Sequence, residues 1–112
     1  MKLIDTPITK KSLHEMAKAS FGNFVKAVID SKKAIMVIDA SLHADEETYL
    51  LSHGSIQQDL WGINLYPEFD GEDFIEFDSM INVRPGQGNM TRGIDDARIQ
   101  RKIRSIIGQL VT

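Results

Sequence analysis

The stretch His43–Pro67, HADEETYLLSHGSIQQDLWGINLYP, holds the only Trp of the chain, both Tyr residues and two of the three His. A helix and a strand meet in it. Asp45 is a good N-cap, and Glu46 and Glu47 follow in the first turn, where a helix dipole favours negative charge. Leu50 and Leu51 supply that helix's buried side, and His53-Gly54 is its C-terminal stop. Ser55–Asp59 is a polar connection, and Leu60–Tyr66 reads as a strand. Along it Trp61, Ile63 and Leu65 alternate against Gly62, Asn64 and Tyr66. The first set is core; the second can form a flat polar and aromatic surface.

Working outward toward the N-terminus, two β-rich runs, Phe24–Asp30 and Ala34–Leu42, are separated only by Ser31-Lys32-Lys33, short enough for a hairpin. The IMVI run is apolar throughout and predicts a central strand covered on both faces. Before it, Leu3–Ile8 is extended. A helix then opens at Thr9 or Ser12, with Glu15 completing a possible capping box; Leu13, Met16, Ala17 and Phe21 fall on one face before Gly22 ends it. Toward the C-terminus, Pro67 and Glu68–Asp73 make a turn and Phe74–Val83 reads as a fourth strand. Phe74, Glu76, Asp78 and Met80 face one way on it, Ile75, Phe77 and Ile81 the other. Arg84–Gly93 is a loop. Asp95 or Asp96 caps a last helix whose apolar stripe is Ile99, Ile103, Ile106, Ile107 and Leu110, with Arg98, Arg101, Lys102 and Arg104 around its other side. The expected class is α+β: order α-β-β-α-β-β-α, a four-stranded antiparallel sheet with helices mainly on one face.

Composition narrows the function classes. The 112 residues are one domain's worth, 42% hydrophobic and 26% charged, as in ordinary globular proteins. No apolar run approaches the roughly 20 residues of a membrane span, and MKLIDTPITKK has no continuous apolar segment of the kind a secretory signal needs. With no Cys, disulfides, thiolate zinc sites and Cys nucleophiles are excluded, which fits the cytosol. The net charge of −3 argues against a general nucleic-acid binder. Charge is uneven, however: residues 55–90 carry seven acids against Arg84 alone, whereas residues 91–112 carry five basic residues against Asp95 and Asp96. Such blocks face each other in the fold or attract separate partners.

The pieces LHADEETYLL, GSIQQDLWGINLYPE, FIEFDSMINVRPGQGN and RGIDD resemble a family of short prokaryotic single-domain proteins, a domain of unknown function. The resemblance covers nearly the whole chain and implies a stand-alone domain. It transfers no catalytic residue.

Four constellations carry possible chemistry. His43 and Asp45 project to one side if extended, close enough to share a metal or a proton; Asp45 as a helix cap accounts for the same residue. Asp59, Glu76 and Asp78, on or beside the third and fourth strands, would hold a divalent cation if they converged, or form a solvated strand face. Arg84-Pro85-Gly86-Gln87-Gly88-Asn89, with Arg92, is either an anion cradle or a rigid, side-chain-bonded connection; no Gly-Lys-Ser/Thr follows, so it is not a nucleotide P-loop. Finally, Trp61, Asn64 and Tyr66, with Asn82 from the neighbouring strand, offer a polar and aromatic face. The cofactor is left unknown. Two functions remain open: a cytosolic binding or regulatory module for a small anionic ligand or a protein partner, possible as a homodimer, or a small metal-assisted hydrolase or nuclease acting on a phosphate-bearing substrate.

Overall fold

A computed structural model describes residues 1–112. Its elements are β1 (Lys2–Ile4), α1 (Lys10–Ala19), β2 (Val25–Asp30), β3 (Ile35–Ile38), α2 (His43–Ser52), β4 (Leu60–Leu65), β5 (Ile75–Glu76) and α3 (Ala97–Leu110). The sheet has five antiparallel strands in the order β1-β3-β2-β4-β5, and the class is α+β. No helix is long and apolar enough to cross a membrane.

The expected hairpin forms. Asp30 pairs with Ile35, and the Asp30 carboxylate accepts hydrogen bonds from the backbone N–H groups of Lys32 and Lys33, which closes the turn. Thr9, not Ser12, caps α1, and its hydroxyl accepts from the Ser12 N–H. Gly22 ends that helix at φ 101° and donates to the Ala17 carbonyl. Asp96 rather than Asp95 caps α3, whose Ile103, Ile106, Ile107 and Leu110 are buried as the stripe requires.

Four expectations need correction. The extended N-terminal piece supplies a fifth strand, β1, which pairs with β3 and puts Ile4 into the core. Phe74–Val83 is not one strand; only Ile75–Glu76 pairs with β4. Beyond it the Ser79 hydroxyl accepts from the Ile81 N–H and the chain coils into a 3-10 turn, Met80–Asn82. The helices also do not share a face. α1 and α3 cover Val25, Ala27, Ile29, Met36, Ile38, Trp61, Ile63 and Leu65, while α2 covers Val28, Val37 and Leu60 from the opposite side. Strands buried on both faces need a layer on each.

The fourth correction concerns helix phase. α2 begins at His43 with Leu42 as its N-cap, so Asp45 lies in the first turn and caps nothing. The inward positions are therefore His43, Glu46 and Leu50, spaced three and four apart, and Leu51 is left 41% exposed. In α1, similarly, the helix stops at Ala19 before Phe21 can join the inner face; Phe21 is exposed and stacks on Phe24 at 4.8 Å.

Candidate functional site

The two faces of the sheet differ in chemistry. The α1/α3 face carries a main apolar cluster of 19 residues; the α2 face has only Val28, Val37, Leu50 and Leu60 as its apolar cluster. Much of the remaining space under and beside α2 is polar. Strand alternation places Lys26 of β2 on this side, opposite Val25 and Ala27, and in register with Asn64 of β4, which in turn pairs with Glu76 of β5.

His43, 7% exposed, reaches the sheet and its Nε2 lies 2.8 Å from the Ile63 carbonyl oxygen. A carbonyl only accepts, so the proton sits on Nε2 and the neutral ring leaves Nδ1 as an acceptor. Nδ1 has no hydrogen-bond partner in the protein. Burial is the largest influence on the ring and holds its pKa below the ordinary value. One turn on, Glu46 is fully buried. Its Oε2 accepts from the Ala40 N–H at 3.0 Å and its Oε1 has no partner. Burial pushes this carboxyl up to about 9, so it is neutral at pH 7.

Beside α2, a side chain completes the sheet where β5 stops. Asn82 Nδ2 donates to the Gly62 carbonyl at 2.9 Å and its Oδ1 accepts from the Gly62 N–H at 2.8 Å, imitating a strand partner. The approach needs glycine: a Cβ on residue 62 would sit 2.5 Å from Ser79 Cβ. Asn64, 6% exposed, donates from Nδ2 to Glu76 Oε1 at 2.8 Å, and the Tyr66 hydroxyl donates to the same oxygen at 3.2 Å. Asn64 Oδ1 is buried without a partner. Asn64 and Asn82 thus occupy the same face but do not bond to each other.

The Arg84–Asn89 loop is tied down by its own side chains. The Arg84 guanidinium donates to the carbonyls of Ile81, Gln57 and Leu60 and stacks 4.5 Å over the Trp61 ring. Gln87 Nε2 donates to the Gln58 carbonyl, and Asn89 Nδ2 donates to the carbonyls of Asn82 and Gly93. These donors serve the chain's own backbone and hold Asn82 in place. Arg92, at the end of the loop, is different: its Nε donates to Asp78 Oδ1 at 2.6 Å while its side chain remains exposed.

These elements enclose a pocket of about 200 Å³ at the N-terminus of α2. Lys26, His43, Ala44, Ser79 and Arg92 line it together with Leu42 and Met80, both of them exposed, and no carboxylate does. Leu42 gives α2 no side-chain cap, so the positive end of the helix meets the pocket without an oxygen from its own N-cap. The Ser79 hydroxyl accepts from Ile81 N–H and keeps its proton to donate.

Of the residues singled out in the sequence, His43 and Arg92 line this pocket. Asn64, Tyr66 and Glu76 form the adjoining part of the face, Asp78 holds Arg92, and Asn82, Arg84, Gln87 and Asn89 support it. Trp61 lies 2% exposed in the core on the other face. Asp45 is exposed and points away from His43, because residues two apart on a helix do not share a side. Asp59 precedes β4 and lies about 16 Å along the strand from Asn64, the partner of Glu76. Asp59, Glu76 and Asp78 do not converge, and no three His, Cys, Asp or Glu side chains gather as a metal ion would require. Lys26, Glu46 and Ser79 were missed. Lys26 had a signal, as the only positive charge inside the VKAVID strand; Glu46 was hidden by placing the cap too late, and Ser79 had none.

No curated protein and no solved structure matches the chain. A family profile does, over residues 2–110, a span that takes in all five strands and all three helices. The chain belongs to that family, described as "Protein of unknown function (DUF5674)".

Proposed function

We propose that this protein is a small, single-domain binding or regulatory module of the cytosol that holds an anionic ligand in the pocket at the N-terminus of α2. One observation carries this reading. A buried histidine with an unpartnered ring nitrogen stands in a carboxylate-free pocket between Lys26 and Arg92, at a helix start with no side-chain cap. Lys26, the remaining donors of Arg92 beyond the Nε held by Asp78, a hydroxyl donor and a positive helix end favour an oxyanion. On ligand binding, Nδ1 of His43 takes up a proton and becomes a further donor. The sheet face around Asn64, Tyr66 and Glu76 contacts the rest of the ligand. Within the Arg84–Arg92 loop, Arg92 supplies charge and the remainder supplies rigidity. The outer edges of β1 and β5 leave room for pairing between two copies. Metal-assisted hydrolysis has less support, because Asp59 precedes the first residue of β4 whereas Glu76, on β5, pairs with Asn64 near the other end of β4.

Thermal unfolding in phosphate against chloride at equal ionic strength tests the proposal. A ligand at a hundred times its Kd adds about 2.7 kcal/mol of stability. Phosphate should raise the Tm of the parent protein and leave a Lys26→Gln, Arg92→Gln double variant unmoved. Equal Tm values for the parent in both salts would overturn the reading.

A further inference from the structure

A second cavity, of about 380 Å³, lies on the α1/α3 side, between the first residue of α1, the last turns of α3 and residues 71–75. Its apolar lining is Phe74, Ile75, Ile107 and Val111, all part of the main core or packed against it. It belongs neither to the His43 pocket nor to the face beside it, and its size is that of a small-molecule site.

Two features of its wall are unexplained by folding. Gly108 sits inside α3, where glycine costs about 1 kcal/mol relative to alanine. Nothing lies within 4 Å of where its Cβ would be, so neither a tight contact nor an unusual backbone angle demands glycine. What the missing side chain does is leave the cavity open. The second feature is Arg104, half-buried, with its guanidinium 5.0 Å over the Phe77 ring and no hydrogen bond or ion pair of its own. Lys10, the other cation on the wall, is already engaged by Asp70 and the Phe69 carbonyl. Arg104 therefore has its planar set of donors free beside an apolar surface.

We infer that this cavity binds a small apolar monocarboxylic acid, its hydrocarbon part against Phe74, Ile75 and Ile107 and its carboxylate paired in bidentate fashion with Arg104. Glu72 also lines the cavity and contributes its only acidic side chain, which opposes a dianion such as a phosphate monoester or a dicarboxylate. The site is thus matched to a single negative charge on an apolar body.

Octanoate is a suitable probe, followed by thermal shift and amide chemical shifts, with octanol as its uncharged counterpart. Saturable octanoate binding is expected in the parent protein, centred on the amides of Gly71, Arg104 and Gly108. Arg104→Gln should weaken octanoate about tenfold or more, the effect of losing a charge-assisted pair, and leave octanol unchanged. Gly108→Leu improves helix propensity and fills the mouth, so the variant should fold and lose the ligand; Gly108→Ala should keep it. Absence of binding to the parent protein overturns the inference. So does octanoate binding as tight in Gly108→Leu or in Arg104→Gln as in the parent.

Discussion

One sheet is covered in two ways. On the α1/α3 face, Leu13, Ala27, Ile29, Met36, Ile38, Ile63, Leu65 and Ile103 bury hydrocarbon against hydrocarbon. On the α2 face, a ten-residue helix turns a histidine and a glutamate inward, and two asparagines replace or extend strand pairing. The first face is what apolar burial alone would build. The second carries desolvated polar groups, Glu46 Oε1 and Asn64 Oδ1 among them, that lower stability unless something else requires them. The difference teaches that the buried polar groups that cost stability have been confined to one side of the strands.

The sharpest way to break this comparison is to remove Asn82. Asn82→Ala strands the Gly62 N–H, the Gly62 carbonyl and the Arg92 carbonyl in a buried setting, and a loss on the order of 4 kcal/mol is expected. The dry face offers the reference: Ile103→Ala should lose about 3 kcal/mol through its cavity. Urea unfolding of both compares them. If Asn82→Ala lost less than 1 kcal/mol, its amide would not be completing the sheet.

A smaller loss, about 2 kcal/mol, is expected of Gly62→Ala, because the new Cβ overlaps Ser79 Cβ. Adding Ser79→Gly removes the obstacle and should restore part of that loss in the double variant. A simple sum of the two single effects would show that the close approach is not what makes glycine necessary.

Glu46 should reverse the sign. Its carboxyl titrates near 4.5 when unfolded and at about 9 when folded. Between those values the folded chain keeps a proton that the unfolded chain has released, so stability is full below 4.5 and falls as pH rises toward 9. Glu46→Gln has no such ionisation and can still accept from the Ala40 N–H. It should be more stable than the parent by about 2 kcal/mol at pH 7 and near parity at pH 4.5. Unfolding curves at the two pH values check this; a variant less stable at pH 7 would mean that the carboxylate is doing something the neutral amide cannot.

The smallest effect separates His43 from its surroundings. Its folded pKa is depressed, so the ring is neutral in the free protein at pH 7, and a bound anion draws a proton onto Nδ1. Sulfate should bind more tightly at pH 5.5 than at 7.5, by about threefold to tenfold, and the dependence should vanish in His43→Gln. Isothermal titration at both pH values measures it.

How much of this was legible in the sequence depended on how local each cause was. The α3 stripe and the turn closed by Asp30 are short-range patterns, and both formed as read. The IMVI run called for cover on both faces, which is what α2 provides, although the helices had been assigned to one side. β1 was hidden because only Ile4 of its three residues is buried. The fourth strand failed for a non-local reason: Asn82 meets Gly62 across 20 residues, and nothing near Asn82 announces that it will replace a strand. The site was legible in its residue types but not in their division of labour. Arg84 and Arg92 look alike in sequence, yet one faces backbone carbonyls and the other a pocket. A three-residue error in the start of α2 was enough to conceal Glu46.

The most direct test of the division between the faces is an amide chemical-shift map during a sulfate titration. Movements concentrated at Lys26, His43, Ala44, Ser79 and Arg92, with Ile103, Ile106 and the Arg84–Asn89 segment still, are the predicted result. Shifts centred on Gly86–Asn89, or spread evenly over both faces of the sheet, would contradict it.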